Sequence, residues 1–217
     1  MLGTRKPPTL TPVAVTVQPA RRLTQLIAGL ICYGVSMAMM VRAHLGLDPW
    51  DVLHQGLHQR TGLSFGLVTG LTGVLVLLAW IPLRQRPGVG TIANVIVIAV
   101  AVQLALDLLP APAALPARIA LLLGGVVLNA LATASYVGAR LGPGPRDGLM
   151  TGIHARAGLS IRFARISVEI LVLITGWLLG GTVGVGTVLY AASIGALTQA
   201  LLPLLVWRTG GDSDSAT

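Results

Sequence analysis

Residues 46–64 read GLDPWDVLHQGLHQRTGLS, and residues 142–160 read GPGPRDGLMTGIHARAGLS. The two stretches align without a gap at a constant offset of 96 residues. Identical residues at this offset include the pairs Pro49 and Pro145, Asp51 and Asp147, Gly56 and Gly152, His58 and His154, Arg60 and Arg156, Gly62 and Gly158, and Ser64 and Ser160. The chain therefore contains one polar motif twice, and the rest of the sequence is organised around the two copies.

The composition is that of a membrane protein. Hydrophobic residues make up 54% of the chain, charged residues only 10%, and the mean hydropathy is +0.81, whereas about a quarter of the residues in a soluble domain are charged. The net charge of +8 does not indicate nucleic-acid binding, because the basic residues are scattered between apolar runs. The lipid bilayer is the predicted partner. With the single Cys32, no intrachain disulfide can form.

Six apolar runs are long enough to cross a hydrocarbon core of about 30 Å at a rise of about 1.5 Å per residue. They span residues 22–43, 63–83, 89–110, 117–139, 160–180 and 185–207. The first run is longer than the core of a signal peptide, about 7–15 residues, and it has a repeat partner in mid-chain, so we interpret it as a permanent span. Residues 1–21 and 208–217 are predicted to be disordered cytoplasmic tails.

The duplication extends beyond the polar motif, since the tetrapeptide GVGT occurs at residues 88–91 and again at 184–187. We divide the chain into repeat 1 (22–110) and repeat 2 (111–207), each with three spans. Because three is odd, the second repeat must enter the bilayer from the opposite side, as in many secondary transporters. The predicted fold class is an all-α polytopic membrane protein with two inverted three-helix repeats. Each repeat would carry one short amphipathic or re-entrant helix.

The distribution of basic residues predicts the orientation. With the N-terminus inside, the outer segments contain only Arg42, Arg60 and Arg118. The other twelve basic residues fall in segments predicted to be cytoplasmic: Arg5, Lys6, Arg21, Arg22, Arg84, Arg86, Arg140, Arg146, Arg156, Arg162, Arg165 and Arg208. This positive-inside bias predicts that both termini lie in the cytoplasm.

Each copy of the motif begins like a helix N-terminus. Asp48 or Gly144 would be the N-cap, followed by Pro49 or Pro145 at N1 and by Asp51 or Asp147 at N3. A carboxylate at N3 can accept free amide hydrogens and complement the helix dipole, which is a purely structural role. In the alternative interpretation the helix is re-entrant and its polar face lines a cavity, where irregular backbone is tolerated at membrane depth.

Several polar side chains are candidates for binding a solute. Asp51, His54 and His58 share one helix face, but Met150 replaces His54 in the second copy, so neither a metal site nor a cofactor is predicted. Glu169 is expected to face the bundle or a cavity and to pair with Arg165. The full candidate set is Pro49, Asp51, His54, His58, Pro145, Arg146, Asp147, His154, Gln103, Gln199 and Glu169.

The two motifs resemble those of the YitT/YczE-like family of bacterial integral membrane proteins. The residues that carry the resemblance are Gly46, Pro49, Trp50 and Asp51, then Gly142, Gly144, Pro145, Arg146, Asp147 and Gly148. It extends over residues 22–207 and is closer to the YczE type, because YitT-type members carry a soluble C-terminal domain and this chain stops just after its sixth span. The resemblance implies a multi-pass protein of the bacterial inner membrane.

No hydrolase elbow, HExxH signature or Walker loop is present, so an enzyme is not predicted. The leading hypothesis is a secondary transporter or channel-like permease for an unidentified small solute or ion, with Asp51 and Asp147 around a central polar cavity. Positive helix ends would suit an anion and the aspartates a cation or proton, so the sign of the substrate stays open. The alternative is a non-transporting accessory protein that supports another enzyme or complex. Gly-rich spans are compatible with a homodimer.

Overall fold

The computed structural model describes residues 10–207, and within them the fold consists of eight helices without a strand. The first four are α1 (Pro19–Ala43), α2 (Pro49–Thr61), α3 (Phe65–Leu83) and α4 (Val89–Leu108). The second four are α5 (Leu115–Gly138), α6 (Pro145–Ala157), α7 (Ile161–Leu178) and α8 (Val185–Leu205). Each helix of the second set begins 96 residues after its counterpart in the first, so the sequence offset is also the offset of the helix starts.

Five of these helices are long and apolar enough to cross a membrane, namely α1, α3, α4, α5 and α8. They confirm five of the six predicted apolar runs. The exception is α7, which carries Arg162, Arg165 and Glu169 within its 18 residues. The short α2 and α6 correspond to the two copies of the polar motif.

The segment before α1 differs from the predicted disordered tail. Residues 1–9 and 208–217 lie outside the described part of the chain, but residues 10–18 pack against the end of α5. Arg22 is fully buried, and its guanidinium donates hydrogen bonds to the carbonyls of Val13, Ala14 and Val17 at 2.7–3.0 Å. A buried guanidinium needs acceptors for its donors, and this requirement explains why the segment before α1 is held in place.

Helices α1 and α5 form the antiparallel centre of the bundle. Arg22, near the start of α1, donates to the carbonyl of Ala139 after the end of α5 at 2.9 Å. Arg118, near the start of α5, donates to the carbonyl of Ala43 at the end of α1 at 2.8 Å. The two contacts are related by the same offset of 96 residues. On either side of this pair, α4 packs against α1 and α8 packs against α5.

The two GVGT tetrapeptides each begin a long helix and also hold the turn before the opposite short helix. The Gly90 amide donates to the carbonyl of Leu141 at 2.9 Å, just before α6. The Gly186 amide donates to the carbonyl of Leu45 at 2.7 Å, just before α2. Thr187 Oγ1 also accepts a hydrogen bond from the Leu47 amide at 3.1 Å. Each half of the chain therefore braces the polar motif of the other half.

Candidate functional site

Both short helices begin at the predicted proline. Asp48 is the N-cap of α2, and its Oδ1 accepts hydrogen bonds from the amides of Trp50 and Asp51 at 2.8 and 2.9 Å. Gly144 is the N-cap of α6, where no side chain caps the helix start. Capping by a carboxylate is therefore present in the first copy only, and there it comes from the N-cap Asp48, whereas Oδ1 of the N3 residue Asp51 contacts His54.

The N-terminal ends of α2 and α6 meet at a single cavity of about 400 Å³, which we call the central cavity. From α2 it is lined by Asp48, Pro49, Trp50 and His54, and from α6 by Pro145, Arg146, Asp147 and Met150. The long helices contribute mainly hydroxyl and apolar groups, including Tyr33, Tyr136, Tyr190, Thr72, Val76 and Ile98. The N-terminal ends of both short helices therefore face the interior of the bundle.

Arg146 joins the two halves of the site. Its guanidinium nitrogens lie 3.8 Å from Asp48 Oδ1 and 4.0 Å from Asp51 Oδ1. Its guanidinium carbon lies 4.8 Å from the centre of the Trp50 ring, which is a cation–π geometry. Trp50 and Arg146 occupy equivalent positions in the two copies of the motif. The contact therefore joins one motif position to its own counterpart in the other copy.

The carboxylates around Arg146 are deeply buried. Asp48 is 1% exposed and Asp51 is fully buried. Both residues lie outside the five apolar spans, and burial is the main cause that raises the pKa of each to about 6. The charge of Asp51 raises the pKa of Asp48 further, whereas the positive charge of Arg146 lowers both. These carboxyl groups therefore change their protonation close to neutral pH.

His54 is held beside Asp51 in its neutral form. Its Nδ1 lies 3.1 Å from Asp51 Oδ1 and 3.5 Å from Thr69 Oγ1. Burial, and after it the charge of Arg146, lowers the pKa of His54 to about 3. An ionised Asp51 accepts a hydrogen bond from the ring, which favours the tautomer with the proton on Nδ1.

A second ion network lies on the more exposed side of the central cavity. Arg165 Nε lies 3.4 Å from Glu169 Oε1, as the spacing of four residues predicted. Arg165 Nη2 also lies 3.8 Å from Asp147 Oδ1, which connects α7 to the start of α6. All three side chains are between 39% and 57% exposed, so the individual pairs contribute little stability. These three side chains nevertheless place two negative charges and one positive charge at the wall of the central cavity.

Four predicted residues do not line the central cavity: Asp51 lies behind its lining, 4.0 Å from Arg146, and the other three lie farther from it. His58 and His154 are near the C-terminal ends of α2 and α6, where Nδ1 of each contacts the carbonyl of the residue five positions later, Leu63 or Leu159. Gln103 accepts a hydrogen bond from the Gly66 amide at 3.1 Å and donates to Asp107 at 2.9 Å. Its repeat partner, Gln199, does line the central cavity. The equivalence of the two glutamines in sequence therefore does not extend to their surroundings.

Sequence reasoning treated Asp48 and Trp50 as parts of the motif but not as site residues. The only local sign was that the first copy has two acids where the second has one. Trp80 was also missed, although its Nε1 donates to the carbonyl of Pro145 at 3.0 Å and so holds the start of α6. A further chain of hydrogen bonds runs from Tyr190 through Asn129 to Ser36, with each contact at 2.9 Å. Within residues 10–207, no three His, Cys, Asp or Glu side chains are placed to hold a metal ion.

The protein is an all-helical membrane protein with a polar, charged cavity at its centre. It belongs to the family of unknown function DUF6198, whose model matches residues 20–203. It is similar to an uncharacterized protein of Haemophilus influenzae, with 42% identity over 185 residues that cover 85% of each chain. It is also similar to the uncharacterized membrane protein YczE of Bacillus subtilis, with 35% identity over 84% of this chain and 86% of that one.

A second Bacillus subtilis protein, the uncharacterized protein YyaS, is 25% identical over 82% of this chain and 90% of its own length. No solved structure matches the chain.

Proposed function

We propose that the protein is a small secondary transporter or channel-like permease whose substrate site is the central cavity. The observation that carries the proposal is that the N-terminal ends of α2 and α6 face one cavity, where Arg146 of the second copy lies between Asp48 and Asp51 of the first. Transporter sites typically lie near the bilayer midplane, between repeats, at the ends of short or broken helices.

The proposal includes an inverted repeat of residues 22–110 and 111–207, with both termini in the cytoplasm of a bacterial cell. It is supported by the antiparallel contacts of α1 with α5 and by the bracing of each polar motif through the GVGT segment of the opposite half. The excess of arginine in the segments assigned to the inside supports the same orientation.

The proposal also treats α7 as the sixth span, despite its charges. Arg165 and Glu169 line the central cavity, whereas Ile166, Ile170 and Ile174 are exposed on the outer surface of the helix. Charged groups within a membrane span are tolerated when they face a polar cavity and pair with each other. The apolar residues of α7 would then contact lipid.

Transport is tested by reconstituting the protein into liposomes and recording solute-induced currents on a solid-supported membrane. The panel contains chloride salts of small organic cations, sodium salts of small organic anions, and the inorganic ions alone. We expect a saturable current with at least one solute, and its loss in Asp51→Asn and Asp147→Asn. The matched control is Asp107→Asn, since Asp107 is an acid of α4 that does not line the cavity.

If none of the panel produces a current with correctly folded wild-type protein, the transport proposal fails and the accessory role becomes the better explanation. A current that persists unchanged in both cavity variants would reject the role assigned to the two aspartates.

A further inference from the structure

We propose that the central cavity binds a small organic cation with an ammonium or guanidinium group, and that Arg146 is a tethered competitor that occupies the cation position when no ligand is bound. The inference rests on the proposed function, since it names the substrate class of the same cavity.

The charge balance of the cavity is the first argument. The acids that line it are Asp48, Asp147 and Glu169, and Asp51 lies directly behind them at 4.0 Å from Arg146. The positively charged side chains among the lining residues are Arg146 and Arg165, whereas the lining His54 is neutral. Three acids thus face two arginines in the lining, and Asp51 adds a fourth carboxylate beside Arg146, in a chain whose net charge is +8. Such a field favours cations and disfavours anions.

Unsatisfied polar atoms are the second argument. Asp48 Oδ2, Asp51 Oδ2 and Trp50 Nε1 are buried and have no hydrogen-bond partner among the described residues. Burial of a carboxylate oxygen without a donor costs free energy. Asp48 lines the cavity, so a ligand bearing N–H groups would supply the donor that its Oδ2 lacks, whereas Trp50 contributes the face of its ring and its Nε1 is itself a donor. At the start of α2 the amides of Trp50 and Asp51 already donate to Asp48 Oδ1, so they are not available to an anion.

The position of Arg146 is the third argument. A planar cation over the face of Trp50, with two carboxylates at its edge, is the arrangement by which proteins recognise ammonium and guanidinium ligands. The distances of 3.8 and 4.0 Å to Asp48 and Asp51 exceed those of direct hydrogen bonds, and Arg146 is 27% exposed. The guanidinium therefore makes no direct hydrogen bond to either carboxylate, which leaves Asp48 Oδ2 and Asp51 Oδ2 to a cation that can donate one.

The walls of the cavity favour an organic ion over a metal ion. Tyr33, Tyr136 and Tyr190 surround the charged groups together with Val76 and Ile98. A hard metal cation requires six or more oxygen ligands, and the described residues place no three metal-ligating side chains together. A volume of about 400 Å³ is at the lower end of the range for small-molecule sites, which limits the ligand to a small solute.

The test is a binding measurement in detergent, where no membrane gradient exists. Purified protein is titrated at pH 8 with tetramethylammonium chloride, methylguanidinium chloride, sodium methylphosphonate and sodium chloride, and the heat of binding is recorded. We expect saturable binding of at least one organic cation and none of methylphosphonate. Arg146→Ala should bind that cation at least tenfold more tightly, because the internal competitor is removed, whereas Arg146→Lys should resemble the wild type.

The matched control is Arg162→Ala, which removes the same charge from an exposed position of α7 that does not line the cavity. Asp48→Asn and Asp51→Asn should weaken cation binding at least tenfold. Should Arg146→Ala not give monodisperse protein, the comparison of cations with methylphosphonate on the wild type decides the sign of the ligand. Binding of methylphosphonate that Arg146→Lys retains, or the absence of any saturable cation binding, would overturn the inference.

The two proposals fail separately. Cation binding without any current in liposomes would leave the cation site intact and reject transport. A current carried by an anion, without cation binding, would support transport and reject the cation site.

Discussion

The two halves of the chain share one order of helices but use it differently. In the first half, α3 packs closely against α4, and glycines at positions 66, 70 and 73 allow the two helices to approach. In the second half the equivalent positions are Arg162, Ile166 and Glu169, and α7 has no comparable interface with α8. Duplication thus gave one closed pair of helices and one open pair, and the open pair contributes charged and polar groups to the central cavity.

The two copies of the polar motif differ in a complementary way. The first supplies two buried carboxylates and an aromatic ring, and the second supplies the cation that lies among them. A symmetric protein would bring identical groups together at this point, and like charges would repel each other. The divergence of Trp50 from Arg146 and of Asp48 from Gly144 instead gives an attractive contact.

The largest effect on folding is expected at a contact where one half has a tryptophan and the other half has a glycine at the equivalent position. Gly148 of α6 lies under the ring of Trp80, whereas at the equivalent pair Gly176 of α7 lies against the backbone of Val52 and Leu53 in α2. A Cβ at Gly148 would overlap the Trp80 ring, so Gly148→Val should abolish the monodisperse peak in size-exclusion chromatography. Adding Trp80→Gly recreates the pairing of the other half and should restore that peak in part.

Trp80→Gly alone should lower the free energy of unfolding by about 3–5 kcal/mol, as is typical of a large-to-small change in a core. If Gly148→Val alone gave monodisperse protein of unchanged thermal stability, the two packing arrangements would not be complementary.

The next largest effect is expected on cation affinity, because protons compete with the cation for the buried carboxylates. The carboxyl groups of Asp48 and Asp51 face Arg146 on α6, His54 on α2 and Tyr33 on α1, and their pKa is raised to about 6. Above pH 6 they are ionised and bind a cation, and below it protons compete. The affinity for methylguanidinium should therefore fall about tenfold from pH 7 to pH 5 for each proton displaced. Titrations at pH 5, 6, 7 and 8 measure this, and an affinity independent of pH would exclude proton competition.

The smallest effect is expected from making the second half more like the first. Gly195 of α8 is equivalent to Ala99 of α4, and a Cβ added at Gly195 meets nothing within 4 Å. Gly195→Ala should therefore stabilise the protein by about 0.5–1 kcal/mol through helix propensity. Gly66→Ala should instead destabilise it, since its Cβ would overlap the Ala99 carbonyl oxygen. Thermal unfolding in one detergent compares the two, and a loss of stability in Gly195→Ala would show that α7 and α8 approach more closely than described.

The sequence predicted the structural features that depend only on residues close together in the chain, namely the helices and the contacts within one helix. Apolar runs located the long helices, the Pro and Asp spacing located the starts of α2 and α6, and the spacing of four residues located the Arg165–Glu169 pair. Contacts between the halves were not predictable, because nothing in a single sequence indicates which face of one helix meets another. Arg146 and Asp51 are 95 residues apart, and their contact depends on how all eight helices pack.

The sequence was misleading where composition and tertiary contacts disagree. Residues 1–21 have no hydrophobic periodicity and four prolines, which predicted a disordered tail, but carbonyls of residues 13–17 satisfy the buried Arg22. His58 and His154 share a helix face with the aspartates, yet a carbonyl at the helix end engages each ring.

The contact between the two halves depends on Arg146 of the second copy as the counter-ion of the buried carboxylates of the first. A double-mutant cycle with Asp51→Asn and Arg146→Gln, read as free energies of unfolding in mixed micelles, tests it most directly, with Asp107→Asn and Arg146→Gln as the matched distant pair. We expect the Asp51 cycle to be non-additive by at least about 1 kcal/mol and the Asp107 cycle to be additive. Additivity within about 0.5 kcal/mol in both cycles would contradict this role of Arg146.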